Sequence, residues 1–183
     1  WVAGMGVFDA VSHSFSTVAI GGFSTHNESI GYFRSAPIEA VSIIFMLLSG
    51  INFGLHFITW KSQSLRHYLK DAEFRTYLFV IISITLIAAV FLRVNEVYLS
   101  LDDAFAKAIF HTVSIATTTG FTTSDYYFWP TFLPLLLLLA SFIGGCTGST
   151  GGGIKVIRIL LLAKQGLREM LRLIHPNAKI VVK

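Results

Sequence analysis

The sequence predicts an all-α membrane protein built from repeated helix–re-entrant loop–helix units, and three observations carry the prediction. Of its 183 residues, 54% are hydrophobic and 13% charged, where an ordinary soluble domain carries about 25% charged residues. Charge placement is the second. Eleven of the fourteen Lys and Arg fall in two stretches, Lys61, Arg66, Lys70 and Arg75 in one and Lys155, Arg158, Lys164, Arg168, Arg172, Lys179 and Lys183 in the other. Both flank apolar runs and neither interleaves with aromatics, so the net charge of +4 marks cytoplasmic loops and not a nucleic-acid surface. A solvated basic face would explain the charges but not their alternation with apolar runs. The third observation is an internal repeat. A shift of 98 residues lays "DAVSHSFSTVAIGGFSTH" (9–26) on "KAIFHTVSIATTTGFTTS" (107–124), matching Ala10/Ala108, His13/His111, Ser16/Ser114, Gly22/Gly120, Phe23/Phe121 and Thr25/Thr123; chance would give about one such match.

The elements follow in order. Residues 7–20 are apolar for about 14 residues, too short to span and suited to a re-entrant helix. An extended segment returns to the outer side past Glu28 and Arg34. "PIEAVSIIFMLLSGINFGLHFITW" (37–60) is long enough to span, with Glu39 tolerated near a helix N-terminus. The basic loop 61–75 lies inside. "TYLFVIISITLIAAVFL" (76–92) is uncharged and crosses most of a ~30 Å hydrocarbon core at ~1.5 Å per residue. A second short helix occupies 103–117, with Arg93, Glu96, Asp102 and Asp103 on the outer side. "WPTFLPLLLLLASFIGG" (129–145) starts a third spanning helix, breaks into glycine, and resumes at Ile154. The single cysteine, Cys146, excludes an intrachain disulfide and a Cys-rich metal site.

The repeated loops need a chemical reason, because an unpaired backbone group in hydrocarbon costs several kcal/mol and irregular backbone survives at depth only where protein buries it or water reaches it. A repeated re-entrant loop is therefore a pore signal. Carbonyls of an extended, glycine-containing segment can replace the hydration shell of a monovalent cation. Gly22 and Gly120 permit the backbone conformation and close approach; Thr117, Thr118 and Thr119 add hydroxyls and β-branched stiffness. The preceding short helix directs its negative C-terminal end at the cavity.

The units "STVAIGGFSTH" and "TVSIATTTGFTTSD", followed by "GGCTGSTGGGIK", resemble the Trk/Ktr/HKT superfamily of potassium transporters, and within it the bacterial Trk-type membrane subunits. The resemblance covers essentially the whole chain. It implies a pseudo-fourfold cation channel of four helix–pore-loop–helix units, potassium as the transported ion, no organic cofactor and no catalysis. On it, residues 1–75 are the second pore unit without its outer helix, plus a cytoplasmic loop. Residues 76–183 are the third unit with a glycine-interrupted inner helix and a cytoplasmic tail. The implied filter is Ile20, Gly21, Gly22 and Phe23 with Thr118, Thr119, Gly120 and Phe121; the first and fourth units are absent. The resemblance further implies a multi-pass protein of the bacterial inner membrane, a homodimer, and a cytosolic nucleotide-binding regulatory subunit, TrkA, engaging the inner basic segments.

The stretch Gly144, Gly145, Cys146, Thr147, Gly148, Ser149, Thr150, Gly151, Gly152, Gly153 to Lys155 holds six glycines, each weakening a helix by ~1 kcal/mol relative to alanine. A phosphate-binding loop is excluded, since Ile154 separates Gly153 from Lys155 and no strand precedes it. Close helix packing through small residues is one reading. The other, implied by the resemblance, is an intramembrane loop beneath the filter that gates it. Lys155 either reaches the pore's inner end or, by default, snorkels to the cytoplasmic interface. His13 and His111 read as hydrogen-bonding or packing residues, and Asn52 as either a polar cavity group or an interhelical hydrogen bond. Asp102, Asp103 and Asp125 read either as acids attracting cations at the outer mouth or, by default, as solvated interface residues. A membrane-embedded enzyme would need Ser149 or Thr150 activated by His56 or His111. A sodium- or proton-coupled secondary transporter is the remaining alternative, but the two copies run in the same orientation, unlike inverted repeats.

Overall fold

The computed structural model describes residues 1–130 and 132–174; Lys179 and Lys183 of the second basic stretch lie outside the described residues. Among the described residues the chain is helical, with eight α-helices in the order α1 Val7–Val18, α2 Ala36–Ser49, α3 Phe53–Ser62, α4 Arg66–Lys70, α5 Ala72–Val94, α6 Leu101–Ala116, α7 Phe132–Ile143 and α8 Val156–Ile174. Short 3₁₀ turns lie at Ser29–Phe33 and Tyr126–Phe128.

Among the described residues, α5 is the one helix by itself long and apolar enough to cross a membrane. Its start is set by Asp71, whose carboxylate accepts from Phe74 N at 2.7 Å, satisfying one of the orphan donors of the first turn. It buries Tyr77, Ile81, Ile84, Ala88 and Leu92, spaced to form one helical face. The opposite face leaves Phe79, Ile82, Leu86 and Val90 uncovered. Helix α6 packs between α5, α7 and α2. Ala104 and Ala108, both fully buried, let these helices approach closely. Its start is capped by Ser100, which accepts from Asp102 N.

The expected short helices 7–20 and 103–117 are present as α1 and α6. The expectation of one continuous spanning helix over 37–60 is corrected: α2 and α3 meet at 94° across a break at residues 50–52. The 14 residues of α2 rise only about 21 Å. The bend has local causes. Asn52 caps α3, accepting from Gly54 N at 2.8 Å, so the chain starts a new helix there. The last carbonyls of α2, which a continuing helix would use, bond elsewhere: Leu47 O accepts from the Tyr77 hydroxyl (3.2 Å) and Leu48 O lies 2.9 Å from His56 Nε2. A Cβ on Gly50 would fall on the Tyr77 hydroxyl.

The expected break after 143 is also present, and its form is specific. Phe142 O accepts from Ile154 N (2.9 Å), Ile143 O from Lys155 N (3.0 Å) and Gly145 O from Val156 N (3.2 Å). Residues 144–153 are therefore looped out sideways, while hydrogen bonds across the base of the loop join the end of α7 to the start of α8.

Candidate ion-conduction site

The two loops that follow α1 and α6 share one backbone plan at an offset of 98. In the first, Ala19 N donates to Phe15 O, Ile20 N to Thr17 O and Gly21 N to Ser16 O; in the second, Thr117 N donates to Val113 O, Thr118 N to Ile115 O and Thr119 N to Ser114 O. The left-handed positions repeat as well: φ is +54° at Ile20 and +68° at Gly22, +68° at Thr118 and +90° at Gly120. For β-branched Ile20 and Thr118 this conformation is strained, and such strain persists only where surrounding structure over-determines it, most often at functional sites. Identical strain in both copies is one backbone shape built twice.

The loops stand edge to edge. A Cβ on Gly22 would fall on the Thr119 carbonyl oxygen, whereas one on Gly120 would meet nothing within 4 Å. Contact between the copies continues outward, with Gly31 N donating to Thr122 O (3.0 Å) and Thr122 N to Ser29 Oγ (3.2 Å). Phe121 is fully buried, with its ring centroid 5.9 Å from that of His13 in the other copy. Its counterpart Phe23 is 82% exposed.

Histidine ties each loop to its helix. His13 Nδ1 lies 2.8 Å from Asp9 O and Nε2 2.9 Å from Ser24 Oγ. His111 Nδ1 lies 2.9 Å from Lys107 O and Nε2 3.2 Å from Ser124 O. Each ring thus joins the first half of a short helix to the segment returning from its loop, which is the hydrogen-bonding role expected. The Thr25 hydroxyl also donates to Asp9 Oδ1 (2.7 Å) and holds that carboxyl below its ordinary pKa. In the second copy Lys107 replaces Asp9 and pairs with Glu39 at 2.8 Å. Above lies a polar cavity of about 720 Å³ whose lining includes Glu28, Arg34, Glu39, Asp103, Lys107 and Asp125.

The glycine loop 144–153 is fastened beneath both loops. Gly152 N donates to Thr118 Oγ1 (2.7 Å). The Thr150 hydroxyl donates to Val18 O (2.9 Å), with Ser49 O at 3.3 Å. Cys146 N donates to Gly50 O (2.8 Å), and Gly148 O accepts from Phe53 N (3.1 Å). The two helix breaks therefore pack on one another, with Asn52 against Gly148. Asn52 is a helix cap in contact with the loop, which gives it a role between the two expected ones. Lys155 departs from its default: its ammonium turns back into the loop, donating to Gly151 O and lying 3.4 Å from Ser149 Oγ. Lys155 is left-handed at φ +79°, and that turn aims the side chain at the loop.

One residue escaped the sequence reading. Glu73, 8% exposed, accepts from Thr147 N (2.7 Å) and Ile157 N (3.1 Å) on a single carboxylate oxygen. The hydroxyls and histidines of a hydrolytic site do not meet. Ser149 Oγ donates to Cys146 O, Thr150 to the carbonyls named above, and His56 engages Tyr68 Oη (2.6 Å) and Leu48 O.

The chain is similar to known proteins over its whole length. The family model TrkH, described as a cation transport protein, matches residues 1–183. The Trk system potassium uptake protein TrkH of Vibrio parahaemolyticus is 54% identical over 185 residues, covering 100% of this chain and 38% of that relative. That of Escherichia coli K12 is 54% identical over 183 residues with the same coverage. A crystal structure of the potassium transporter TrkH from Vibrio parahaemolyticus superposes with a TM-score of 0.96 at 54% identity, over 100% of this chain and 40% of that one. The chain thus spans 38% of the length of these curated relatives.

Proposed function

This chain belongs to the TrkH family of cation transport proteins, and from that premise we propose that it supplies the second and third of four pore units of a potassium-uptake channel in the bacterial inner membrane. Ile20–Phe23 and Thr118–Phe121 each contribute one quarter of the filter, and their backbone carbonyls replace the ion's hydration shell. The observation carrying this reading is the repeat of hydrogen bonds and left-handed positions at an offset of 98, in two loops held edge to edge. The relatives named above are called potassium uptake proteins, which supplies the ion.

The exposure pattern supports a ring completed by further units. Phe121 seats against the helix of the preceding copy, while Phe15 and Phe23 stand 76% and 82% exposed where a neighbouring unit of the same kind would cover them. Permeation is then passive at the filter, and no covalent step is required. The looped-out segment 144–153, bonded to Thr118 and to Val18 at the inner ends of both filter loops, obstructs the pathway in this arrangement and admits ions when displaced. Population shift between the two arrangements requires a partner with differential affinity for them. We assign that role to a cytosolic nucleotide-binding subunit, TrkA, acting on a homodimer of the complete transporter.

The test is rubidium uptake into liposomes holding the complete transporter that carries this segment. Replacing Gly22 and Gly120 together by alanine abolishes uptake while the protein remains folded in the membrane. Undiminished potassium-selective uptake by the double variant would overturn the filter assignment.

A further inference from the structure

We infer that Glu73 is the latch of the glycine loop: one buried carboxylate oxygen that holds the loop's outgoing limb and the start of the following helix together. The inference rests on the gating role proposed above for residues 144–153.

The geometry is unusual for an acid at a helix start. An Asp or Glu in the first turn ordinarily serves its own helix, and in α5 that role belongs to Asp71, which accepts from Phe74 N. Glu73 instead turns to a different part of the chain, 74 and 84 residues away. Its Oε1 accepts Thr147 N–H at 2.7 Å, inside the loop, and Ile157 N–H at 3.1 Å, in the first turn of α8. The second of these N–H groups is one that a helix N-terminus leaves without an internal partner, and a carboxylate there is favoured by the helix dipole. Hydrogen bonds to an ionised acceptor are stronger than neutral ones.

Position explains what the contact does. Phe142, Ile143 and Gly145 carbonyls already staple the two sides of the loop at its base. Glu73 adds a further fastening from another helix, at Thr147, immediately after the residue whose N–H bonds to Gly50 O. Displacing the loop from beneath Thr118 must pull Thr147 away from this oxygen, whereas the filter loops make no contact with Glu73 among the hydrogen bonds described. Glu73 is therefore a positioning residue: it sets how often the loop leaves the pathway and does not act on the ion.

The experiment uses the complete transporter in liposomes, with two readouts: rubidium uptake with and without the cytosolic regulator, and the rate at which a small aqueous thiol reagent modifies Cys146, 1% exposed in the closed loop. Glu73→Ala should raise regulator-independent uptake and Cys146 modification roughly tenfold, the effect of losing hydrogen bonds to a charged acceptor, with potassium-over-sodium preference unchanged. Glu73→Gln keeps an acceptor oxygen but loses the charge, and gives a rise smaller than that of Glu73→Ala. Glu73→Asp keeps the charge but is one methylene too short to reach both amides; it gives an intermediate rise and carries the test if the alanine variant does not accumulate. In a transporter lacking Thr147–Gly151, Glu73→Ala has no further effect on uptake. Unchanged uptake and unchanged Cys146 modification in folded Glu73→Ala or Glu73→Asp, in a transporter whose loop deletion does raise flux, would overturn the latch and leave the gate standing. A loop deletion that fails to raise flux would overturn the gate and the latch with it.

Discussion

Substituting Gly22 by alanine separates a filter built from two touching loops from a filter of independent ones. At φ +68° an L-residue pays about 1–2 kcal/mol for the left-handed conformation. An alanine at position 120, where φ is +90°, pays a similar cost. The surroundings distinguish them. Around Gly120 a methyl group finds open space; at Gly22 it falls on the Thr119 carbonyl oxygen and lies 3.0 Å from the Thr119 carbonyl carbon. Ordinary carbon contacts lie at about 3.5–4.0 Å, so the two loops must part by ~1 Å or more, and Thr119 moves out of register with its own hydrogen bond to Ser114 O (2.8 Å). Gly22→Ala should therefore damage both loops, whereas Gly120→Ala perturbs one. At about 1.4 kcal/mol per tenfold in rate, the conformational cost alone gives Gly120→Ala a roughly tenfold loss of uptake with weakened discrimination against sodium. Gly22→Ala should lose on the order of 100-fold. The assay is rubidium and sodium flux in liposomes at matched protein content. Equal effects of the two substitutions, or wild-type flux and selectivity in Gly22→Ala, would refute the edge-to-edge geometry.

Other consequences are as direct. Thr118→Val removes the acceptor of Gly152 N–H and should raise regulator-independent uptake, while Thr118→Ser restores it; flux measurements on the pair decide. Asn52→Ala removes the cap of α3 and should cost about 1 kcal/mol, read as a lower thermal midpoint in detergent. His111→Leu leaves the returning segment unfastened beside a fully buried site and should destabilise by about 1–3 kcal/mol, more than His13→Leu. Gly50→Ala should destabilise the α2–α3 corner, and Tyr77→Phe should relieve part of that loss because the hydroxyl is the group in the way; a double-mutant cycle measures the coupling.

Much of this was legible in the residues, for identifiable reasons. The short helices α1 and α6 show in their apolar length and in the 98-residue repeat. The interruption after Ile143 shows in six glycines, a signal strong enough to override the helical pattern around it. The bend after Ser49 was hidden. Residues 37–60 carry the composition of a continuous span, and a single Gly50 is tolerated in many helices. What breaks this helix is tertiary: Tyr77, His56, Cys146 and Thr150 arrive from elsewhere to take its last carbonyls. Glu73 was hidden for the same reason, since an acid close to Asp71 in a basic loop carries no mark of its partners until Thr147 and Ile157 are seen to converge on it. Its one sequence signal was redundancy, because Asp71 already stands where a cap is needed. Lys155 read as an interfacial anchor because the left-handed turn that redirects it has no compositional mark.

The most direct measurement of the central claim is rubidium uptake by the complete transporter with Thr147 through Gly151 deleted. The bonds from Ile154 and Lys155 to Phe142 and Ile143 close the loop at its base, and Gly151 lies beside Gly145, so Cys146 can join Gly152 without displacing α7 or α8. The expected result is a flux that rises and loses its dependence on the cytosolic regulator, while potassium-over-sodium preference stays as in wild type because the filter loops keep their own hydrogen bonds. A folded deletion variant with wild-type or lower flux would contradict it and reduce the glycine segment to a packing device.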